Sequence, residues 1–240
     1  MRGEMPLRLA GLARPGSAAL TALNEVIGRE LAGHLGLSFV PVGYRTTEQL
    51  VRGMASHDWD VACLPLDGDR PTPLEFTSPY LQVETGYLVP ATGPIRSIED
   101  ADRQGVRIAV AEDSPAADRL ARLLRHARLR RVSSERVAMR HLHRGDAEVV
   151  AGFRVDLFRL ADESDGYWVL IDPIFELSYA FAVPRGDTGL LNEAAALVGR
   201  IAGSGLISKQ IDRNHWVGVH ATEIGNTMSA ESVASRRGGS

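Results

Sequence analysis

A single cysteine, a single lysine and the lack of any long apolar run set the first limits on this 240-residue chain. One thiol, Cys63, cannot form an internal disulfide, and its place in the apolar run Val61 to Leu66 marks it as buried and inert. Lys209 is the only lysine among 27 cationic residues, a bias toward arginine read as coding preference rather than as a binding signal. These cations meet 30 acidic residues for a net charge of -3. The strong positive field that a phosphate backbone calls for is therefore missing, and nucleic acid is not an expected partner. No stretch reaches the roughly 18 to 20 apolar residues of a membrane span. Arg2, Glu4 and Arg8 also interrupt the N-terminus before the apolar region of a secretory leader, about 7 to 15 residues, can form. As written, the sequence reads as soluble and not exported.

What is present is periodic. At 44% hydrophobic, the chain can bury one large core or two small ones. Leu7 to Leu12 reads as a strand, and Leu23, Val26, Ile27, Leu31 and Leu35 form a helical stripe within Thr21 to Leu35. A strand over Leu37 to Val42, a helix over Glu48 to Ala55 with Thr46 and Thr47 as candidate caps, and a strand over Asp60 to Leu66 continue a β-α-β-α-β order. A proline-rich turn at Thr72 to Glu75 and an extended segment at Thr85 to Pro90 follow.

A second unit begins at Pro94, with a short helix at Ser97-Ile98-Glu99-Asp100, a strand at Val106 to Ala111 and an arginine-rich helix at Ser114 to Ala127. Strand, helix and strand then repeat over Leu129 to Val132, Glu135 to Leu142 and Ala147 to Ala151. Asp156 to Ala161 reads as helix, Trp168 to Ile171 as strand, Glu176 to Pro184 as extended and Leu190 to Asp212 as one helix. The predicted class is α/β, with mostly parallel sheets and helices on both faces. A discontinuous outer lobe, residues 1–89 and 178–221, surrounds an inserted lobe, residues 90–177, through a two-segment hinge, and the ligand cleft is expected between them. Residues 222–240 are small and polar and read as a disordered tail.

Against this background several motifs fall in a recognisable order. Asp60-Val61-Ala62, Arg70, Phe76-Thr77-Ser78-Pro79-Tyr80 and Gly86-Tyr87-Leu88-Val89-Pro90 resemble the first-lobe signature of the family 3 bacterial extracellular solute-binding proteins, which have the type 2 periplasmic-binding-protein fold. Ile95-Arg96-Ser97-Ile98-Glu99-Asp100, Gly105 to Val110 and Gly145-Asp146-Ala147 resemble the second lobe of the same family, so the likeness runs from residue 7 to about 216.

The resemblance implies a set of ligand contacts. Arg70 stands six residues before Phe76, where the amino-acid binders of the family pair an arginine with the ligand's carboxylate. A guanidinium can fork onto a carboxylate with two parallel bonds, although an exposed turn arginine is the competing reading. Ser114 falls where the family opens a second-lobe helix against the same anion, with Asp113 before it as an alternative cap and Pro115 at the first helical position. Arg154 and Phe153 follow the strand Ala147 to Ala151; Arg154 reads either as a second anionic contact or as a solvated helical residue. Leu66 and Tyr80 complete the candidate ligand-binding set, although Tyr80, near the first crossing, reads more readily as a structural residue. Two family features are missing: the amino-group acceptor position holds Ala151, and Ala13 to Ser17 replace the aromatic residues that sandwich the ligand. An ordinary α-amino acid is therefore a doubtful ligand, because an ammonium group would be desolvated without a partner.

No catalytic constellation is found. His141 and His143 are two apart on a predicted helix and make a poor metal pair, and His215 and His220 lack a nearby carboxylate or cysteine cluster. Neither a Gly-x-Ser-x-Gly elbow nor a glycine-rich phosphate loop is present. No catalytic residue, metal or cofactor is predicted. The resemblance implies a monomer that binds a small organic-acid or amino-acid-like solute, serves an ABC transporter permease and works in the periplasm. The alternatives are a cytoplasmic ligand-sensing domain, which the missing leader favours, and a dehydratase-like enzyme on the same fold.

Overall fold

The structure, a computed structural model, describes residues 6–12, 18–66 and 73–222. The first part of the chain forms β1 (Leu7–Leu12), α1 (Ala18–His34), β2 (Phe39–Tyr44), α2 (Thr47–Ala55), β3 (Val61–Pro65), β4 (Leu74–Phe76) and the long β5 (Leu81–Pro90). The second part adds α3 (Ile98–Ala101), β6 (Arg107–Ala111), α4 (Pro115–Leu123), β7 (Arg128–Val132), α5 (Glu135–His143), β8 (Val149–Phe153), α6 (Arg154–Asp162) and β9 (Tyr167–Val169). The chain then returns through β10 (Phe175–Pro184), α7 (Thr188–Ser204), α8 (Leu206–Asn214) and β11 (Val219–Ala221).

Local chemistry sets most of the boundaries. Thr46 caps α2 by accepting the Gln49 amide at 3.2 Å, and Ser97 with Asp100 forms a reciprocal capping box on α3. The arginine-rich helix stops at Leu123 rather than Ala127. The amides of Arg125, His126 and Ala127 turn instead onto the Asp102 carboxylate, at 3.0, 2.9 and 2.9 Å. The single helix expected from Leu190 to Asp212 breaks at Gly205, whose left-handed φ of 64° ends α7 and lets the chain bend by 58° into α8. β4 and β11, three residues each, are too short to carry a detectable alternation.

All the strands join one mixed sheet with the main order β2-β1-β3-β10-β5-β8-β6-β7. β1 pairs in parallel with β2 and β3, and β6 pairs in parallel with β7 and β8, so each lobe repeats one β-α-β pattern. Antiparallel pairing enters with β5 and β10, the two strands that cross between lobes. The repeat extends to an ion pair. Asp60, just before β3, grips the Arg8 guanidinium of β1 at 2.6 Å, and Glu148, just before β8, grips Arg107 of β6 at 2.5 Å.

Helices cover both faces of each lobe. In the outer lobe Leu23, Ile27, Leu31, Leu197 and Ile201 pack against Val83 and Phe181, while Leu50, Trp59 and Leu64 form the opposite layer. In the inner lobe α4 covers Ile108 and Val110, and α5 and α6 cover Leu88 and Val150. Full burial of each such aliphatic side chain contributes roughly 1.5 to 3 kcal/mol. Along β5 the packing passes from the outer core at Val83 to the inner core at Tyr87, and on β10 Phe175 touches both. Among the described residues no single helix is long and apolar enough to cross a membrane. Cys63 is 1% exposed, and burial pushes its thiol up to about 12, as expected of an inert core residue.

Candidate ligand-binding site

Sheet direction sets the ends of the two groups of parallel strands against each other. β3 is antiparallel to β10 and β10 to β5, so β3 runs with β5 toward the inner lobe. β8 is antiparallel to β5 and runs the opposite way. The carboxyl ends of the two sets of parallel strands therefore face each other, which is where ligands bind in open α/β sheets. Pro65, at the end of β3, is level with Tyr179 and hence with Leu81, whereas Phe153, at the end of β8, is level with Thr85. These levels are four residue steps apart along β5, about 13 Å at about 3.3 Å per residue.

Four of the sequence-predicted residues, Leu66, Asp113, Ser114 and Phe153, stand at or just beyond these strand ends. Leu66 follows β3 and donates its amide to the Ser178 carbonyl at 2.7 Å. Asp113 and Ser114 follow β6, and Ser114 caps α4 by accepting the Ala116 amide at 3.2 Å. Pro115 occupies the first turn of α4, as expected. Phe153 ends β8 and meets Tyr179 edge to face, with ring centroids 6.5 Å apart. Arg70, the loop Ala13 to Ser17 and the tail beyond Thr222 lie outside the described residues.

Other residues serve the packing of the fold. Tyr80 is 2% exposed in the outer core, stacked on Phe181 at 4.6 Å, and thus packs the lobe. Ala151 sits mid-strand and 1% exposed in the inner core, so Phe153 rather than Ala151 occupies the strand end. With either residue the position carries no carboxylate. Thr85, which no motif flagged as a contact, is fully buried between Phe153 and Phe175, and its hydroxyl has no partner among the described residues.

Arg154 is neither solvated nor free for an anion. It is 7% exposed, its Nε lies 2.8 Å from the Glu84 carboxylate, its Nη1 donates to the Leu170 carbonyl at 2.6 Å, and its guanidinium lies over the Phe158 ring. Strand alternation explains why: Glu84 projects from β5 on the face opposite Thr85 and Phe153. The other Glu84 oxygen is 2.9 Å from Nε2 of His220, so the expectation that His220 lacks a nearby carboxylate is overturned. That contact depends on β11 pairing with β5, and β11 is too short to read from the sequence.

A cavity of about 700 Å³ opens elsewhere, between α7, α8 and β11, lined by Val198, Ile201, Ile207 and Ile211. It belongs to the outer lobe, and of the predicted ligand contacts among the described residues only Tyr80 lines it.

No family model matches the chain. In sequence it is similar to the ABC transporter glutamine-binding protein GlnH of Bacillus subtilis strain 168, with 21% identity over 203 residues, 82% of this chain and 74% of that protein. In structure it is similar to the GluR0 ligand-binding core in complex with L-glutamate, with a TM-score of 0.74, 19% identity, and coverage of 90% of this chain and 100% of that one. It is also similar to the ancestral amino acid-binding protein AncCDT-1, a precursor of cyclohexadienyl dehydratase, with a TM-score of 0.68, 20% identity and coverage of 88% and 95%. The two structural likenesses show that this chain shares the fold of these binding proteins.

Proposed function

We propose that the chain is a solute-binding protein of the amino-acid-binding type and that it captures a small, carboxylate-bearing solute between its lobes for an ABC-type transporter, a reading that its likeness to a glutamine-binding protein and to a glutamate-binding core supports. The observation that carries this reading is the pair of facing strand ends, Pro65 of β3 and Phe153 of β8, four residue steps apart along the crossing strand β5. The gap suits a molecule of amino-acid size. Two adjacent crossing strands form the hinge on which such lobes close, and we assign it to Thr85 on β5 and Phe175 on β10. The anion would meet Arg70 from the outer lobe and the N-terminus of α4, capped by Ser114, from the inner lobe.

An apolar Phe153 at the end of β8 favours an organic acid over an α-amino acid, since an ammonium group there would lose its water without gaining a counter-charge. On this reading the protein is a monomeric, non-enzymatic receptor that works outside the cytoplasmic membrane. A thermal-shift screen of organic acids, amino acids and sugars tests it. Organic acids should rank first, with stabilisation of about 2.7 kcal/mol at a hundredfold excess over Kd. Mass spectrometry of the hits after incubation should show no turnover. If only sugars or cations raise the midpoint, the carboxylate reading fails; multiple turnovers of a hydroxy acid would make the protein an enzyme.

A further inference from the structure

We infer that Glu84, Glu176 and His220 form a binding site for one divalent transition ion of the zinc type on the hinge, on the face opposite Phe153. One ligand atom from each of the three residues lies within 4.8 Å of the others. Donors at about 2.0 to 2.2 Å from a common ion span at most about 4.4 Å, so side-chain adjustment of a few tenths of an ångström closes the set. The donors are an imidazole nitrogen and two carboxylates, which suit a borderline ion better than magnesium or calcium.

Three further features fit a cation. Glu84 and Glu176 are directly opposite each other on β5 and β10, and like charges so placed repel. Arg154 engages only the Glu84 Oε2 side, leaving Oε1 toward His220, while the Glu176 carboxylate has no polar partner among the described residues. Arg154 thus neutralises one of two charges and orients Glu84 from behind, the part that outer partners commonly play for ligating carboxylates. Finally, Gly218 brings β11 close enough for His220 to reach. Its φ is 77°, and a Cβ there would lie 2.9 Å from Cβ of Arg154 and 3.0 Å from Oε2 of Glu84.

The three ligands come from both crossing strands and from the last described strand. An ion there fastens β11 to the hinge and ties β5 to β10, whatever solute the lobes hold.

The full chain, stripped with EDTA and returned to chelator-free buffer, is titrated with zinc by calorimetry and with cobalt by visible absorption. One equivalent should bind, with the strong visible bands of four- or five-coordinate cobalt, and zinc should raise the thermal midpoint. His220→Ala and Glu176→Gln should each weaken zinc binding at least tenfold and abolish the midpoint rise, while His126→Ala, at an exposed histidine elsewhere, should leave both unchanged. Metal-free midpoints of all variants separate loss of folding from loss of the ion. Zinc affinity and midpoint rise that survive both substitutions, or no stoichiometric binding to the unaltered chain, would overturn the site. Either result leaves the solute screen to stand or fall by itself.

Discussion

Arg154 of α6 and Glu84 of β5 form an ion pair of 2.8 Å whose side chains are only 8% and 17% exposed. The pair joins the inner lobe's helix to the strand that carries the chain between lobes. Removing one partner of a buried pair leaves the other charge uncompensated, and such losses run to about 3 to 5 kcal/mol. Arg154→Ala should therefore lower the free energy of unfolding by about 3 kcal/mol, the lower end because Glu84 keeps some contact with water. Arg154→Lys should recover only part, since it loses the bond to the Leu170 carbonyl. Denaturant unfolding of both variants measures this; losses below 1 kcal/mol would show that the pair is dispensable.

Arg70 is expected to behave in the opposite way. If it forks onto the solute's carboxylate, Arg70→Ala should weaken binding by roughly 2 to 5 kcal/mol while folding barely changes. Arg70→Lys should restore only part of the affinity. Calorimetric titration of the best hit from the screen decides the matter, and equal affinities in all three proteins would remove the main support for an acidic solute.

Thr85 offers a test of the gap itself. Its hydroxyl is buried and unpartnered among the described residues, so Thr85→Val exchanges an unsatisfied polar atom for a methyl group. The variant should be as stable as the unaltered protein or more so, by up to about 1 kcal/mol. If the solute supplies the missing partner, affinity should fall in the same variant. A clear loss of stability, read by the same denaturant titration, would mean that the hydroxyl is satisfied in solution.

Asp156 sets a pH dependence. Burial, with the Glu135 carboxylate nearby, raises its pKa from 3.8 to about 7. The folded state thus holds a proton that the unfolded state has already released. Below pH 3.8 both states are protonated and this group adds no cost; as pH rises from there to about 7, the unfolded state is favoured progressively, by about 4 kcal/mol in total. Asp156→Asn should flatten this part of the stability profile and raise stability above pH 7. A profile with the same slope in both proteins would assign the proton to another group.

The sequence by itself determined the alternation of strands and helices, the candidate caps that include Thr46 and Ser114, the helix start at Ser97, the inert Cys63 and the ordered motifs of the two lobes. These follow from spacings of a few residues, where the helical and strand periods and the first unsatisfied amides leave their marks. Leu66, Ser114 and Phe153 were legible as strand-end residues for the same reason. Tertiary structure alone decided which way each side chain of β5 faces and which strands become neighbours. That choice sent Arg154 to Glu84 instead of to a ligand, and it brought His220 to a carboxylate 136 residues away. Such pairings depend on the order of strands across the whole sheet, and no local period in the chain encodes that order.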